Sequence, residues 1–97
     1  MNVYKELKQE RDRQISKGYD EDHDCEHFPG ELCTAAGIYA DAAAYRVAGL
    51  EIPSSLEQIW PFSNGFKTYE SARPYMLKAA AMLIAEIELY DKMVGEA

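Results

Sequence analysis

Ninety-seven residues with a formal charge of −7 fit one domain, residues 1–97, and leave no room for a catalytic domain plus a regulatory one. The charge is uneven, with five Lys/Arg against three Asp/Glu in residues 1–17 (+2) and five against fourteen in residues 18–97 (−9). Such a surplus argues against direct nucleic-acid binding, which needs clustered cations, and suits a basic protein partner or metal ions instead.

In chain order, Met1-Asn2-Val3-Tyr4-Lys5-Glu6 lacks the apolar stretch of a signal peptide, so the expected location is the cytoplasm. Residues 2–17 are rich in helix formers, with Gly18 as a C-terminal stop. The inward stripe of this helix is Val3, Leu7, Arg11, Gln14 and Ile15. Two of those five are polar, so either the helix is half-buried or Arg11 and Gln14 face polar groups inside the fold. Residues 19–28 are acidic, lack a helical apolar period and read as a loop. Pro29 suits the first turn of a second helix, Glu31 complements its dipole, and Gly49 stops it after about Ala48. Its inward face is Leu32, Ala35, Ala36, Tyr39, Ala43 and Val47.

Pro53 bars continuation, and Ser54 with Glu57 has capping-box spacing for a short helix over residues 55–60. Trp60-Pro61-Phe62 followed by Ser63-Asn64-Gly65 reads as a turn pinned to the core by its aromatic residues. A last helix starts near Ser71 and tolerates Pro74 in its first turn. Met76, Ala80, Leu83, Ile87, Tyr90 and Val94 follow helical spacing and form its expected inward stripe. The longest apolar run, Met76 to Ile87, is broken by Lys78 and Glu86 and falls short of the roughly 18–20 residues of a membrane span. Ala79-Ala80-Ala81 facing the Ala-rich second helix predicts close antiparallel packing. The fold class is therefore all-α: a small bundle of about three main helices plus a short connecting helix. A core this small also predicts a homo-oligomer.

The densest chemistry lies in residues 20–31, which hold both histidines, His23 and His27. A helix extended back through this stretch puts His23, His27 and Glu31 on one face, where a divalent metal can sit with an open position. Pro29 opposes that extension. A zinc set of His23, Cys25, His27 and Cys33 has the right residue types but alternate-residue spacing unlike structural zinc sites. On one helix Cys25 and Cys33 stand roughly 12 Å apart, too far for a disulfide, so reduced thiols are expected. Near the end of the last helix, Glu88 and Asp91 share a face while Glu86 points towards Lys78 or Met82. With the helices antiparallel, Glu86 and Asp91 approach Glu31. Serine-nucleophile, Gly-rich phosphate-loop and His-Glu-x-x-His motifs are absent.

Glu88-Leu89-Tyr90-Asp91 is similar to the Glu-x-x-Asp element of the all-α nucleotide pyrophosphohydrolases of the MazG type. That resemblance implies a magnesium site built from Glu31, Glu86, Glu88 and Asp91. The double-Glu element of those enzymes is missing, with Glu31 standing alone in its place.

A broader resemblance rests on Glu10-Arg11-Asp12-Arg13-Gln14, Gly18-Tyr19 with His23-Asp24, Gly30-Glu31-Leu32 with Ala35-Ala36 and Tyr39, and finally Trp60-Pro61-Phe62 with Lys78-Ala79 and Ala85-Glu86-Ile87-Glu88. Read together, these segments resemble a family of small proteins of tailed bacteriophages and prophages. The resemblance implies an accessory product of the infected bacterial cytoplasm that counters host defence. In that setting the leading expectation is a non-enzymatic binder, without cofactor, that sequesters a nucleotide-type signal. Its ligand-binding residues are Arg11, Gln14, His23, Asp24 and His27, since an arginine clamps a phosphate through parallel hydrogen bonds and a histidine donates or accepts beside it. The alternatives are the magnesium-dependent hydrolase and an acidic inhibitor of a host protein. Arg11 also has a structural reading, a buried pair with Glu31 or Glu86.

Overall fold

The computed structural model describes residues 2–16, 30–62 and 66–95. These form four α-helices: α1 (Val3–Ser16), α2 (Glu31–Val47), α3 (Ser54–Gln58) and α4 (Ala72–Met93). No strand occurs among the described residues, and the all-α expectation holds. None of these helices is long and apolar enough to cross a membrane.

The ends of α2 are set by glycine. Gly30 caps the N-terminus at φ 92°. At the other end, Gly49 adopts φ 75°, its N–H reaches Arg46 O at 3.0 Å, and the Leu50 N–H reaches Tyr45 O at 2.9 Å. This is a Schellman closure, which needs a left-handed residue after the helix. The short helix α3 begins at Ser54 itself, with Pro53 as its cap and no side-chain cap bond. The expected Ser54–Glu57 capping box is therefore not formed, because Pro53 fixes the extended entry that a cap residue would otherwise supply.

Helices α2 and α4 form the antiparallel pair that the alanines predict. Arg46, near the end of α2, donates from Nε to Tyr69 O at 3.0 Å, just ahead of α4. Midway, the Tyr39 and Tyr75 rings lie 5.7 Å apart. At the far end the Cys33 thiol meets the Glu86 carboxylate. Ala36, Ala42, Ala43 and Ala79 line this seam, with Tyr39 and Tyr75 as its large residues. Small side chains bring the backbones close, and a buried tyrosine of this kind removes about 150–250 Å² from water. Trp60 packs on Tyr39 and Phe66, with centroids 4.8 and 5.4 Å away, so the aromatic connection is pinned as expected. Ser63, Asn64 and Gly65 lie outside the described residues.

Several inward positions differ from the periodic reading. On α4 the buried residues are Tyr75, Ala79, Ala81, Ala85 and Leu89. Met76, Leu83, Ile87, Tyr90 and Val94 are exposed instead. The same helical spacing recurs one residue earlier, through Tyr75, Ala79, Met82, Glu86 and Leu89, and this row faces α2. Val47 is exposed on α2 because Arg46 takes the last inward place, while Ile38 and Ala42 join the buried set. On α1 Arg11 and Gln14 are buried, but Val3 and Ile15 are exposed. That helix packs along α4 and leaves both of its own ends open.

Candidate functional site

Helix α1 lies alongside α4 and runs in the same direction, as its ion pairs show. Glu6 pairs with Arg73 at 2.6 Å, Glu10 with Lys78 at 3.3 Å, and Arg11 with Glu88 at 3.1 Å. The seam is thus held by charge as much as by apolar contact, which accounts for a helix whose inward stripe is part polar.

Glu10 is the hub of the seam. Its carboxylate accepts from Arg13 Nη2 at 2.6 Å, from Lys78 Nζ at 3.3 Å and from Gln14 Nε2 at 3.4 Å. Burial pushes this carboxyl up, but the Arg13 hydrogen bond and the Lys78 and Arg13 charges outweigh it and hold Glu10 below its ordinary value. Its hydrogen bond in turn raises Arg13. Lys78 also sits 5.6 Å from the centre of the Tyr69 ring. Beside this hub an open cleft of about 290 Å³ runs between α1 and the start of α4, lined by Glu10, Ser71, Arg73, Pro74, Leu77 and Lys78.

Arg11 and Gln14 are 7 % and 8 % exposed, the two buried polar side chains among the described residues. Arg11 donates from Nε to Glu88 Oε1, which lies on α4 as the expected Glu86 does. Glu88, half-exposed, is therefore an anchor for Arg11.

The remaining carboxylates are scattered. Glu31 is half-buried in the first turn of α2, and Asp91 is exposed. Glu86 is half-buried and turned to Cys33, while Lys78 is taken by Glu10. Partial desolvation, with the charge and hydrogen bond of Glu86, pushes the Cys33 thiol up. Oε1 of Glu86 is buried and accepts no hydrogen bond among the described residues. Among the described residues no three of His, Cys, Asp or Glu gather in a metal-binding group, so Glu31, Glu86, Glu88 and Asp91 are not brought together as one. His23, Asp24, Cys25 and His27 lie outside the described residues, and with them all but Cys33 of the zinc set.

Glu6, Glu10, Arg73 and Lys78 do not stand out in the sequence as site residues. The i, i+4 spacing of Glu6 and Glu10 is the one local signal, and it marks a shared face without naming what lies opposite. Compared with known proteins, the chain matches no family model, no curated protein and no solved structure.

Proposed function

We propose that this chain is a phage-type accessory protein that acts in the infected bacterial cytoplasm as a non-enzymatic binder, sequestering a nucleotide-type signal of host defence. The observation that carries this reading is the burial of Arg11 and Gln14 on the polar seam. An arginine held there is already desolvated and oriented by Glu88. A phosphate that replaces Glu88 exchanges one anionic partner for another, so the binding step does not carry the full penalty of desolvating a fresh cation. Arg11 lies in the last half of α1, which leads towards the stretch holding His23, Asp24 and His27. The phage resemblance supplies the biological setting.

A thermal-shift screen against nucleotides and cyclic nucleotide signals, with and without chelator, tests the proposal. A metal-independent rise with one nucleotide class, reduced in Arg11→Lys while the unliganded melting point stays put, is the expected result. Stabilisation scales with ligand excess over its dissociation constant. A rise that needs magnesium, with pyrophosphate or phosphate released, indicates the hydrolase that uses Glu31, Glu86, Glu88 and Asp91.

A second reading, an acidic inhibitor of a host protein, is favoured by Asp41, Glu51, Glu57 and Glu70. These carboxylates are exposed and take no ion pair among the described residues. They suit a basic protein surface, whose capture should weaken with salt. Capture that is equally strong after charge reversal at Glu51, Glu57 and Glu70 removes this reading.

A further inference from the structure

The α2–α4 hairpin has two broad faces, and among the described residues only one is covered. Helix α1 lies against one side of α4, and the aromatic connection packs on Tyr39 and Tyr75. On the other side α2 presents Gly37, Ala40, Ala44 and Val47, all exposed. On that side α4 presents Met76, Leu83, Ile87 and Tyr90, with Ile87 58 % and Tyr90 62 % exposed. Each row stands one residue after a contact row: Ala36, Tyr39 and Ala43 on α2, and Tyr75, Met82, Glu86 and Leu89 on α4. Both are thus rotated about 100° in the same sense from the seam, and in an antiparallel pair equal rotations lead to the same side.

Three features of this face point to one occupant. It carries no Asp, Glu, Lys or Arg in either row, in a chain that is 28 % charged. Asp41 and Asp91, four residues after Gly37 and Ile87, are exposed at the outer edges of the rows, so charge lies on the rim of the face and not within it. Its relief is self-complementary, since the small residues of α2 form a valley beside the ridge of large residues on α4. Gly37 is unexplained within one chain. It interrupts a helix, where glycine weakens structure, yet a Cβ built on it meets nothing within 4 Å. Close approach of another helix accounts for it.

We propose that this face is the interface of a symmetric pair of chains, the α4 ridge of each copy lying in the α2 valley of the other. A two-fold axis parallel to the helices achieves this and makes every neighbouring helix antiparallel, as in a four-helix bundle. Helices of 22 and 17 residues are about 33 and 26 Å long. At about 10 Å between axes they give a face of about 500 Å² in projection, and more as corrugated accessible surface. A standard interface takes about 800 Å² from each partner, so the face is on the scale a small dimer needs. This inference is independent of the ligand proposed above, because Arg11 and Gln14 sit on the seam with α1.

Sedimentation velocity at about 100 μM, far above a micromolar dissociation constant, tests it on the full chain. The expected mass is an even multiple of 11.0 kDa. Leu83→Glu puts a charge on the ridge and Gly37→Leu fills the valley. Both positions are exposed in the single chain, so helicity by far-ultraviolet circular dichroism should be unchanged in both. Each variant should sediment at half the wild-type mass or less. A wild-type monomer, an odd number of chains, or an assembly whose size either variant leaves unchanged overturns the proposal. The first of those outcomes leaves the face to a different partner protein.

Discussion

Replacing Glu10 by alanine should destabilise the protein more than any other single change on the α1–α4 seam. Glu10 holds Arg13, Lys78 and Gln14 at once, and the Lys78 side chain is only 14 % exposed. A charge-assisted hydrogen bond contributes about 1.5–3 kcal/mol, and an ion left buried without its partner costs about 3–5 kcal/mol. Arg13 is partly exposed and can rehydrate, and the Tyr69 ring still faces Lys78, so the expected loss is about 2–3 kcal/mol. For a chain of this length that lowers the melting point by about 10–20 °C. Lys78→Met should cost about 1 kcal/mol or less, because Glu10 keeps Arg13 and a methionine fills the same space. The double variant should then be milder than the sum of the two by at least about 1 kcal/mol. Urea denaturation of the four proteins measures this coupling. Additivity within about 0.5 kcal/mol would refute the view that Lys78 depends on Glu10. The pH dependence has a definite sign. The folded carboxyl is held below its ordinary value, so its stabilisation is complete above the unfolded value of about 4.3 and is lost as pH falls through the folded one. Glu10→Gln should flatten the acid limb of a melting-point profile taken from pH 7 to pH 3.

Other groups give sharper single readouts. Tyr75 is fully buried, accepts the Tyr69 N–H at 2.6 Å and donates to Tyr69 O, so Tyr75→Phe should cost about 1–3 kcal/mol by denaturant melting. Tyr39→Phe should cost less, since its hydroxyl accepts a single long bond from the Lys67 N–H at 3.4 Å. Burial pushes the Tyr39 hydroxyl up to about 12. Ultraviolet titration should therefore show a late phenolate step that Tyr39→Phe removes. Because this value is raised above the unfolded one of about 10, the matching stability is intact below pH 10 and lost as pH climbs towards 12. In a Cys25→Ser background, Cys33 should alkylate slowly at neutral pH despite its exposure, and Glu86→Gln should speed it by removing the charge that disfavours the thiolate. Equal rates in both proteins would remove Glu86 as the cause.

The polar seam was half legible. Two polar residues on the inward stripe of the first helix pointed to buried polarity, and Arg11 and Gln14 are buried. The hub at Glu10 was not legible, because an exposed-looking Glu at helical spacing carries no sign of what it will meet. Its importance arises only when Lys78 arrives from a residue 68 positions away. The pairing of Glu88 was not legible for the same reason: near a helix C-terminus a carboxylate looks unfavourable until Arg11 approaches it. Ion pairs within one helix follow from spacing, whereas pairs between helices follow from packing angle and register.

The fold shows where periodicity stops being informative. Element order, the glycine stop after α2 and the antiparallel Ala-rich pair are all visible in residue type and spacing. The facing of α4 is not, because its rows through Tyr75 and through Met76 have the same period and differ only in phase. Hydrophobicity favours the Met76 row, which lacks the glutamate found at Glu86. Packing against an Ala-rich neighbour favours the other row, since Ala79 lets the helix axes approach and Tyr75 can turn its hydroxyl to the Tyr69 backbone. Close contact over the whole seam outweighs the partial burial of one carboxylate. An amphipathic reading assumes a single apolar face for each helix. A helix with apolar rows on two sides breaks that assumption, and the row left outside becomes the feature that most needs a partner.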